Sequence, residues 1–435
     1  MQFPLQKFQR LGIQTLVLSL IFINNSNFVF ADSALPVLRA SSPAMHLTLK
    51  DALNLALNAN PEIAVAMRER EAIEGLKIQA ATRPNPSLST SIQDTRNAYR
   101  QTFLQLNQEI ELGDKRQARM DAADIFYSKA QAELESKKAE IHANVIAAFY
   151  AVLVAQERLS LAQSSRDIAE LARDAASKRV KAGKSSPVEE TKSHIAASSA
   201  KIEFNQANTQ LINARKRLAA LWGNNPSVFA NVVGDVTLVA EIPDSANVSQ
   251  LLDHAPAIKL ARIEIDSRGA LTKIERSKAT PNITVSAGVM NNQELGGINQ
   301  ALLGLSIPIP VFDRNQGHVQ EAVSRQYKAQ DELLALKNQL EVNLSNQIER
   351  LSAAKQAAES LKTEILPSAQ SAFDAANKGF SAGKFNFLDV LDAQRTLVQT
   401  KSQYINALLD AHEAVAEIER ILGDVMHHQS EKSQE

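Results

Sequence analysis

Residues 378–393 read KGFSAGKFNFLDVLDA, and residues 178–190 read KRVKAGKSSPVEE. The two stretches share an Ala-Gly-Lys triplet, and their glycines, Gly183 and Gly383, lie 383 − 183 = 200 residues apart. In each stretch a long helical pattern ends at the triplet and another begins after it. A glycine just past a helix end supplies the left-handed conformation of a C-cap, and Pro187 suits the first turn of the next helix. The stretches therefore predict two helical hairpins, each with a glycine at its tip.

The hairpins belong to a repeat that covers most of the chain. An offset of 199 carries residues 130–134 onto 329–333, and an offset of 195 carries 60–63 onto 255–258. We interpret the drift of the offset as a difference in loop length between the halves. The predicted organisation, in chain order, is a signal peptide at 1–31, a first structural repeat at 32–223, a linker at 224–246, a second structural repeat at 247–423 and a disordered tail at 424–435.

The composition excludes several functional classes. Of 435 residues, 44% are hydrophobic but only 5% are aromatic, and this alanine-rich balance is typical of close-packed helices. The net charge of −1 provides no electrostatic attraction for nucleic acid. The chain has no cysteine, which excludes disulfides, thiolate metal ligands and a lipid anchor on cysteine.

The N-terminus has the pattern of a secretory signal. Lys7 and Arg10 form a basic region that precedes the apolar run 11–23. Ala31, which has a small side chain, comes directly before the predicted cleavage point at Asp32. The apolar run is shorter than the roughly 18 residues of a membrane helix, and no other stretch approaches that length. We therefore expect an exported protein without a helical membrane span.

Each half also contains two segments with strand periodicity. Apolar and polar side chains alternate near residues 86–112 and again near 282–310. Alternation over about ten residues suits a membrane barrel with an apolar outer face and a polar interior. The residues expected to line a water-filled passage are Gln105, Asn107, Thr284 and Ser286. The aromatic residues expected near the membrane surface are Tyr99 and Phe103. The residues expected at the bend into the next helix are Gly113, Pro308 and Pro310.

Very long helical patterns follow the strands. Residues 114–181 and 313–381 each predict a helix of roughly 100 Å, at about 1.5 Å per residue. Their apolar residues recur at alternating spacings of four and three, which is typical of coiled coils. Ile365 is the last member of the second seam, and Pro367 predicts a slight kink. Shorter helices, of which two end to end match one long helix, are predicted at 48–81, 186–222, 247–280 and 387–422.

Four predicted strands cannot close a membrane barrel by themselves. Single-chain barrels begin at about eight strands, and an open edge in lipid leaves backbone groups unpaired at a cost of several kcal/mol each. We therefore expect three copies of the chain to share one twelve-stranded β-barrel on top of a helical tube. The predicted fold class is mainly α with a small membrane β part.

Several runs resemble those of one known family. They are ELGDKR at 111–116, AFYAVLVAQERL at 148–159, SPVE at 186–189, LGLSIPIPVFDRNQG at 303–317 and GKFNFLDVLDAQRTL at 383–397. With the duplicated strand and helix unit, they are similar to the TolC family of outer-membrane efflux ducts, and to its cation-efflux branch, which serves cobalt–zinc–cadmium-type resistance pumps. The resemblance implies a homotrimer in the outer membrane of a Gram-negative cell, in contact with lipid and with a long periplasmic α-helical barrel. It also implies a periplasmic adaptor and an inner-membrane pump of the resistance-nodulation-division type as partners, and divalent heavy-metal cations as cargo.

The resemblance also carries over site residues. It implies adaptor contacts at the hairpin tips, through Gly183, Lys184, Ser186, Pro187, Val188, Gly383, Lys384, Phe387 and Leu388. The two glycines also have a purely local interpretation as helix C-caps. The resemblance implies a periplasmic gate at Asp389 and Asp392, which are three apart and share a helix face. Rings of carboxylates favour cations, but the helix dipole also explains acids at a helix start.

Two other functions agree with parts of the sequence. An exported coiled-coil adhesin would explain the seams but not the paired strands, and a type I protein-secretion or multidrug duct would share the whole architecture. No catalytic constellation is found, because Gly183-Lys184 lacks the upstream glycine of a phosphate loop and the eight histidines include no His-Glu-x-x-His motif. We expect no enzymatic activity, no metal site and no cofactor, and the energy for transport would come from the partner pump.

Overall fold

The computed structural model describes residues 45–223, 229–242 and 248–423. The predicted signal peptide and the predicted tail lie outside these ranges, as do both ends of the predicted linker. Within them the chain is mainly helical with a small sheet. The predicted fold class is confirmed in this respect.

The first half begins with two helices that meet at a proline. Thr48 and Asp51 form a capping box at the start of the first helix, and the Asn60 side chain caps the second, which begins at Pro61. The elements of this half, in chain order, are β1 (Met45–Leu47), α1 (Leu49–Ala59), α2 (Pro61–Ala80), β2 (Ser87–Gln93), β3 (Gln101–Ile110), α3 (Lys115–Lys181) and α4 (Pro187–Ala220).

The second half repeats this order, with an interruption in its long helix. A helix begins at Pro256 just as one begins at Pro61, in agreement with the repeat. The elements of this half are β4 (Phe229–Val232), α5 (Val248–Leu252), α6 (Pro256–Lys278), β5 (Ile283–Asn292), β6 (Ile298–Ser306), α7 (Gln316–Ser360), a π-helical turn (Leu361–Ile365), α8 (Leu366–Ser381) and α9 (Phe387–Leu422).

Four strands form one antiparallel sheet in the order β2-β3-β5-β6. The hairpins of the two halves therefore pair through β3 and β5, and β2 and β6 lie at the edges. One face of the sheet is apolar and exposed, and its large side chains are Leu88, Ile92, Leu104, Leu106, Val285, Val289, Leu303 and Leu305. The other face is mostly polar, and it carries Gln105, Asn107, Thr284 and Ser286.

Phe103 does not lie on the apolar face. It pairs with Ser91 on one side and Met290 on the other, and it is two residues from Gln105. Since side chains two apart on a strand share a face, Phe103 belongs to the polar face. The expectation that it faces lipid near the membrane surface is wrong, because position parity along the strand decides the face. Tyr99 precedes β3. The guanidinium carbon of Arg96 lies 4.8 Å from the centroid of the Tyr99 ring.

The bends between strand and helix occur where glycine and proline were expected to make them. Gly113 has a φ of +72°, and a Cβ there would lie 2.6 Å from the Cβ of Thr280, so both conformation and space require glycine. In the second half the β6 ladder ends at Ser306, before Pro308 and Pro310. The strand is shorter than predicted, because prolines have no N–H to donate to a ladder.

A second, parallel sheet joins β1 to β4, and the sequence did not reveal it. Its strands are three and four residues long, too short to show an alternation. β4 comes from the predicted linker and is held by Gln156 of α3. The Gln156 amide nitrogen donates to the Val232 carbonyl at 3.0 Å, and the Val232 N–H donates to the Gln156 oxygen at 2.9 Å. This part of the linker is therefore packed against the long helix.

Each half has its own hydrophobic core. Val145 and Phe149 of α3 are buried in the first, among side chains of α1, α4 and β4, and Leu344 and Ile418 are buried in the second. Among the described residues, α3 alone is long and apolar enough to cross a membrane by composition. This helix also supplies residues such as Val145 and Phe149 to the first core.

The second long helix contains a π-helical turn at Leu361–Ile365. The predicted seam is buried up to the first residue of the turn, for example at Ala358 and Leu361. Ile365, the next predicted seam residue, is 45% exposed, and burial resumes at Ala369. A π turn contains one residue more than an α-helical turn, so the residues that follow are rotated relative to the seam. The prediction for Ile365 is wrong for this reason.

The extra residue of the π turn also explains part of the drift in the repeat. The offset is 199 at 329–333 but 200 at Ala369 and Ala376, which match alanines at 169 and 176. No loop lies between these positions, so the interpretation of a loop-length difference is wrong for this step. Pro367 lies two residues after the turn, and a proline ring disrupts regular α-helical hydrogen bonding. The π turn therefore lies beside the position at which the proline predicts a kink.

His412 of α9 is buried where the linker crosses the helices. Its ring stacks on Tyr150 with centroids 3.5 Å apart, and its Nε2 donates a 2.8 Å hydrogen bond to the Val236 carbonyl. Burial lowers the pKa of His412 below its ordinary value, although the Val236 carbonyl and the charge of Asp235 act in the opposite direction. The ring is therefore held neutral in the folded protein.

We expect the His412→Phe variant to lose less stability in acid than the natural chain. The folded protein resists protonation of His412, whereas the unfolded chain protonates it below about pH 6.5. The stability that the neutral ring contributes is therefore complete above that pH and falls as the pH drops below it. At neutral pH the variant should be about 1–3 kcal/mol less stable, because the Val236 carbonyl loses its donor. Urea unfolding at neutral and mildly acidic pH measures both effects, and a stability difference that is the same at both pH values contradicts this account.

Candidate functional site

Both hairpin tips are built by the same backbone motif. Gly183 follows α3 with a φ of +67°, and Gly383 follows α8 with a φ of +71°. The N–H of Lys184 donates to the carbonyl five residues earlier at 2.9 Å, and the N–H of Lys384 does the same at 2.8 Å. This is the Schellman motif, which satisfies the last carbonyls of a helix and requires a left-handed residue. The C-cap interpretation of both glycines therefore holds.

The return helices begin with side-chain caps. In the first tip, the Ser186 hydroxyl accepts the Val188 N–H at 3.3 Å. In the second, the N–H of Asp389 donates to the Asn386 side chain and the N–H of Asn386 donates to the Asp389 carboxylate, both at 3.0 Å. This reciprocal pair is a capping box, so the second return helix has the stronger start.

The tip residues that the resemblance implied are largely on the surface. Arg179 at the end of α3 lies 5.0 Å from the ring centroid of Phe380 at the end of α8, which brings the two hairpin ends together. Leu388 is half-buried, and Phe387 is the first residue of α9. The residues exposed on the two tips are Gly183, Lys184, Ser186, Pro187, Val188, Gly383 and Lys384.

The structure adds Phe385 to the second tip, and sequence reasoning missed it. A Cβ on Gly379 would lie 2.9 Å from the Cγ of Phe385, so the ring rests directly on the helix backbone. Phe385 remains 50% exposed. The first tip has Arg179 and Ser185 at the equivalent positions. A glycine and a phenylalanine that both depart from the repeat were the signal that could have identified this contact.

Asp389 and Asp392 lie together on an exposed face of α9. Val390 and Gln394 are buried on the other side of this helix, and the Gln394 amide reaches the Ser165 carbonyl of α3 at 3.5 Å. The two carboxylates are therefore exposed near the start of α9, on the side away from α3. Asp389 also belongs to the capping box, so the helix-start explanation of this acid applies to it as well.

The polar face of the sheet is a hydrogen-bonded surface. The Asn107 amide donates to the Ser89 hydroxyl at 3.0 Å, and that hydroxyl donates to the Gln105 carbonyl at 3.3 Å. Gln105 pairs with Gly288 across β3 and β5, where a Cβ on the glycine would lie 2.9 Å from the Gln105 Cα. The backbones of these two central strands therefore approach closely, and the face offers hydroxyl and amide groups along its length.

The comparisons with known proteins agree with this architecture. Residues 52–224 and 247–424 match the family described as outer membrane efflux protein. The chain is 43% identical over 377 residues to the cobalt-zinc-cadmium resistance protein CzcC of Cupriavidus metallidurans, covering 87% of this chain and 90% of that protein.

Two solved outer-membrane channels have a similar fold. The chain superposes on CusC with a TM-score of 0.74 at 17% identity, covering 87% of this chain and 93% of that one. It superposes on VceC from Vibrio cholerae with a TM-score of 0.72 at 19% identity, covering 86% and 96%. The TolC-like fold expected from the sequence is confirmed. On the family match and the identity to CzcC, this chain belongs to the outer membrane efflux protein family.

Proposed function

We propose that three copies of this chain form the outer-membrane exit duct of a tripartite efflux system. The observation that carries this proposal is a four-stranded sheet with an exposed apolar face, a polar opposite face and edge strands β2 and β6. Open strand edges are too costly in lipid to persist, and four strands are too few to close a barrel. Three sheets joined edge to edge give twelve strands, with the apolar face toward lipid and the polar face toward a water-filled passage.

The cargo that we propose is divalent heavy-metal cations. The support is the similarity over 87% of the chain to a protein whose name records cobalt, zinc and cadmium resistance. The duct conducts these ions passively and catalyses no reaction. Hydroxyl and amide groups on the polar face of the sheet can replace some of the water around a passing ion without holding it.

The partners that we propose are a periplasmic adaptor, bound at the hairpin tips, and an inner-membrane pump of the resistance-nodulation-division type. The tips suit this role because the Schellman motif satisfies their backbone internally. Exposed side chains such as Lys184, Val188 and Lys384 are then available for contact with a second protein. The pump would supply the energy for transport, since Gly183-Lys184 lacks the upstream glycine of a nucleotide-binding phosphate loop.

We propose that Asp389 and Asp392 form carboxylate rings at a periplasmic gate. Replacing both by asparagine removes the charge, while the asparagine at 389 can still accept the N–H of Asn386 and keep the cap. We expect the ratio of cation to anion permeability of the reconstituted trimer to fall toward unity, because rings of carboxylates favour cations. Single-channel recordings in a salt gradient measure this ratio.

The matched control for the gate is Asp374→Asn, which removes an exposed acid from α8 of the same hairpin. This variant should keep the natural permeability ratio. If the double variant and the control give the same ratio as the natural protein, the carboxylates serve only the start of the helix and the gate proposal is rejected.

The function as a whole is tested by metal accumulation in cells. Cells that lack this chain should retain more zinc, cobalt and cadmium after metal challenge than cells that contain it, and re-expression should restore the lower level. Elemental analysis of washed cells provides the measurement. Unchanged metal contents, together with retention of dyes, antibiotics or a secreted protein, would indicate a multidrug or type I secretion duct of the same family.

A further inference from the structure

An uncharged and exposed segment follows β6. Residues 307–312 read IPIPVF, and we call them the 307–312 segment. Ile309 is 81% exposed, Val311 is 58% exposed and Phe312 is 90% exposed. Large apolar side chains in a continuous exposed patch indicate a surface that is covered by a partner or by a membrane.

The segment continues the apolar face of β6. Ile307, Ile309 and Val311 have the same parity as the outward-facing Leu303 and Leu305, and all five are exposed. Pairing with β5 ends at Ser306. The segment therefore adds further exposed apolar side chains to the apolar face, on the helical side of the sheet.

The segment is a poor continuation of the sheet. Pro308 and Pro310 occupy alternate positions and have no N–H to donate, so one edge of the segment offers no donors to a neighbouring strand. The pairing of β6 with β5 has already ended at Ser306. This arrangement favours contact with something other than another strand.

The corresponding connection in the first half shows that the bend itself does not require such a segment. Only 111–114 separate β3 from α3. Glu111 there pairs with Arg119, with its Oε2 2.9 Å from a guanidinium nitrogen, and Gly113 packs on Thr280. That connection is short, charged and packed, whereas the connection between β6 and α7 is longer and begins with the uncharged, exposed 307–312 segment, before Asp313 and Arg314.

Several backbone groups of the segment are hydrogen-bonded to groups nearby in the chain. The Val311 N–H donates to the Ile309 carbonyl at 2.9 Å. The side chains of Arg314 and Gln316 donate to the carbonyls of residues 310 and 312, both at 3.3 Å. Asn315 then ties the end of the segment to the Glu275 carbonyl of α6 at 2.8 Å. Internal hydrogen bonding of this kind lowers the cost of placing a backbone where water is scarce.

We propose that the 307–312 segment anchors the duct in the interface of the periplasmic leaflet, with Ile309, Val311 and Phe312 inserted among phospholipid headgroups and upper acyl chains. This proposal rests on the proposed orientation of the barrel, with the apolar sheet face in lipid and the helices in the periplasm. Aromatic and aliphatic side chains partition to the boundary between headgroups and acyl chains. The segment would thus set the height of the duct relative to the membrane.

The test uses tryptophan fluorescence in the assembled full-length protein. Trp222 is the one natural tryptophan, and it is replaced by phenylalanine in every variant. Phe312→Trp is then reconstituted into phosphatidylethanolamine–phosphatidylglycerol vesicles that contain lipids brominated either near the headgroup or near the chain end. We expect the shallow label to quench Phe312→Trp about twofold more strongly than the deep label, since tryptophan settles at the interface.

Two reference positions keep the outcomes distinct. Leu305→Trp lies on the apolar face near the helical end of β6 and should be quenched by brominated lipid, whereas Tyr327→Trp, at a 63% exposed site on α7, should be quenched only by aqueous acrylamide. Lipid quenching of Leu305→Trp without lipid quenching of Phe312→Trp rejects the anchor and keeps the barrel. Protection of Phe312→Trp from both lipid and acrylamide assigns the segment to contact with a second copy, which also rejects the anchor. Absence of lipid quenching at Leu305→Trp rejects the proposed orientation and the anchor with it.

Discussion

The Gly288→Val variant should yield little or no assembled protein in the outer membrane. Gly288 lies in the middle of β5, and a Cβ there would overlap the Leu104 carbonyl oxygen and lie 2.9 Å from the Gln105 Cα. Both obstacles are backbone atoms of the central partner strand β3, so no side chain can rotate to make room. Overpacking of this kind lowers stability by about 3 kcal/mol per copy at the upper end of its range. The proposed barrel would contain this steric overlap once in each of its three copies.

The matched control is Ala287→Val, one residue away on the exposed apolar face. Valine has a higher strand preference than alanine, and its side chain would point away from β3, so this variant should assemble normally. Heat-resistant oligomer on unboiled gels, quantified from outer-membrane fractions, compares the two. Normal amounts of oligomer for Gly288→Val would mean that β3 and β5 are farther apart in the assembly than in the single chain.

The Gly383→Val variant should reach the membrane in normal amounts but fail to support metal resistance. Gly383 holds a φ of +71°, and nothing lies within 4 Å of the position of a Cβ. Valine therefore meets no clash, but a left-handed conformation costs a side chain with Cβ roughly 1–2 kcal/mol. The tip would relax to another shape, while the helices and the sheet above it keep their packing. Growth in zinc and cadmium, with oligomer measured in the same cells, tests this expectation.

Two further variants distinguish an effect of the backbone conformation of the tip from an effect of its exposed side chains. Gly383→Asn should keep most resistance, because asparagine tolerates the left-handed conformation better than other residues with Cβ. Lys384→Glu leaves the backbone motif intact and reverses one exposed charge, so a loss of resistance there would point to contact with the adaptor. Loss of the oligomer itself in Gly383→Val would instead show that the glycine serves folding only.

Much of this architecture could be predicted from spacing alone. The Ala-Gly-Lys triplets predict the hairpin tips, because a positive φ just past a helix end is a local requirement that glycine meets at Gly183 and Gly383. Pro187 predicts the start of α4 in the same way. The predicted helices 48–81 and 247–280 are each divided in the structure, before Pro61 and Pro256. Such features depend on a few consecutive residues and leave a strong signal.

Features that depend on distant parts of the chain left little or no signal. Phe385 rests on Gly379 only because the hairpin brings the loop back onto its own helix. The sheet of β1 and β4 joins strands that are about 180 residues apart, each too short to show a period. Phe103 is a different case, because its face follows from its spacing of two from Gln105, which the sequence already contains.

The sequence by itself determined the duplicated unit, the long helices, the hairpin tips and the sides of most strand residues, because helix and strand periods and the conformations of glycine and proline are properties of short segments. Only the tertiary structure decided where the extra residue of the second long helix is accommodated. That residue forms the π turn at Leu361–Ile365, since the buried seams on either side must both face the same neighbouring helices. Packing between elements is set by all the surfaces that meet, and no single stretch of sequence contains that information.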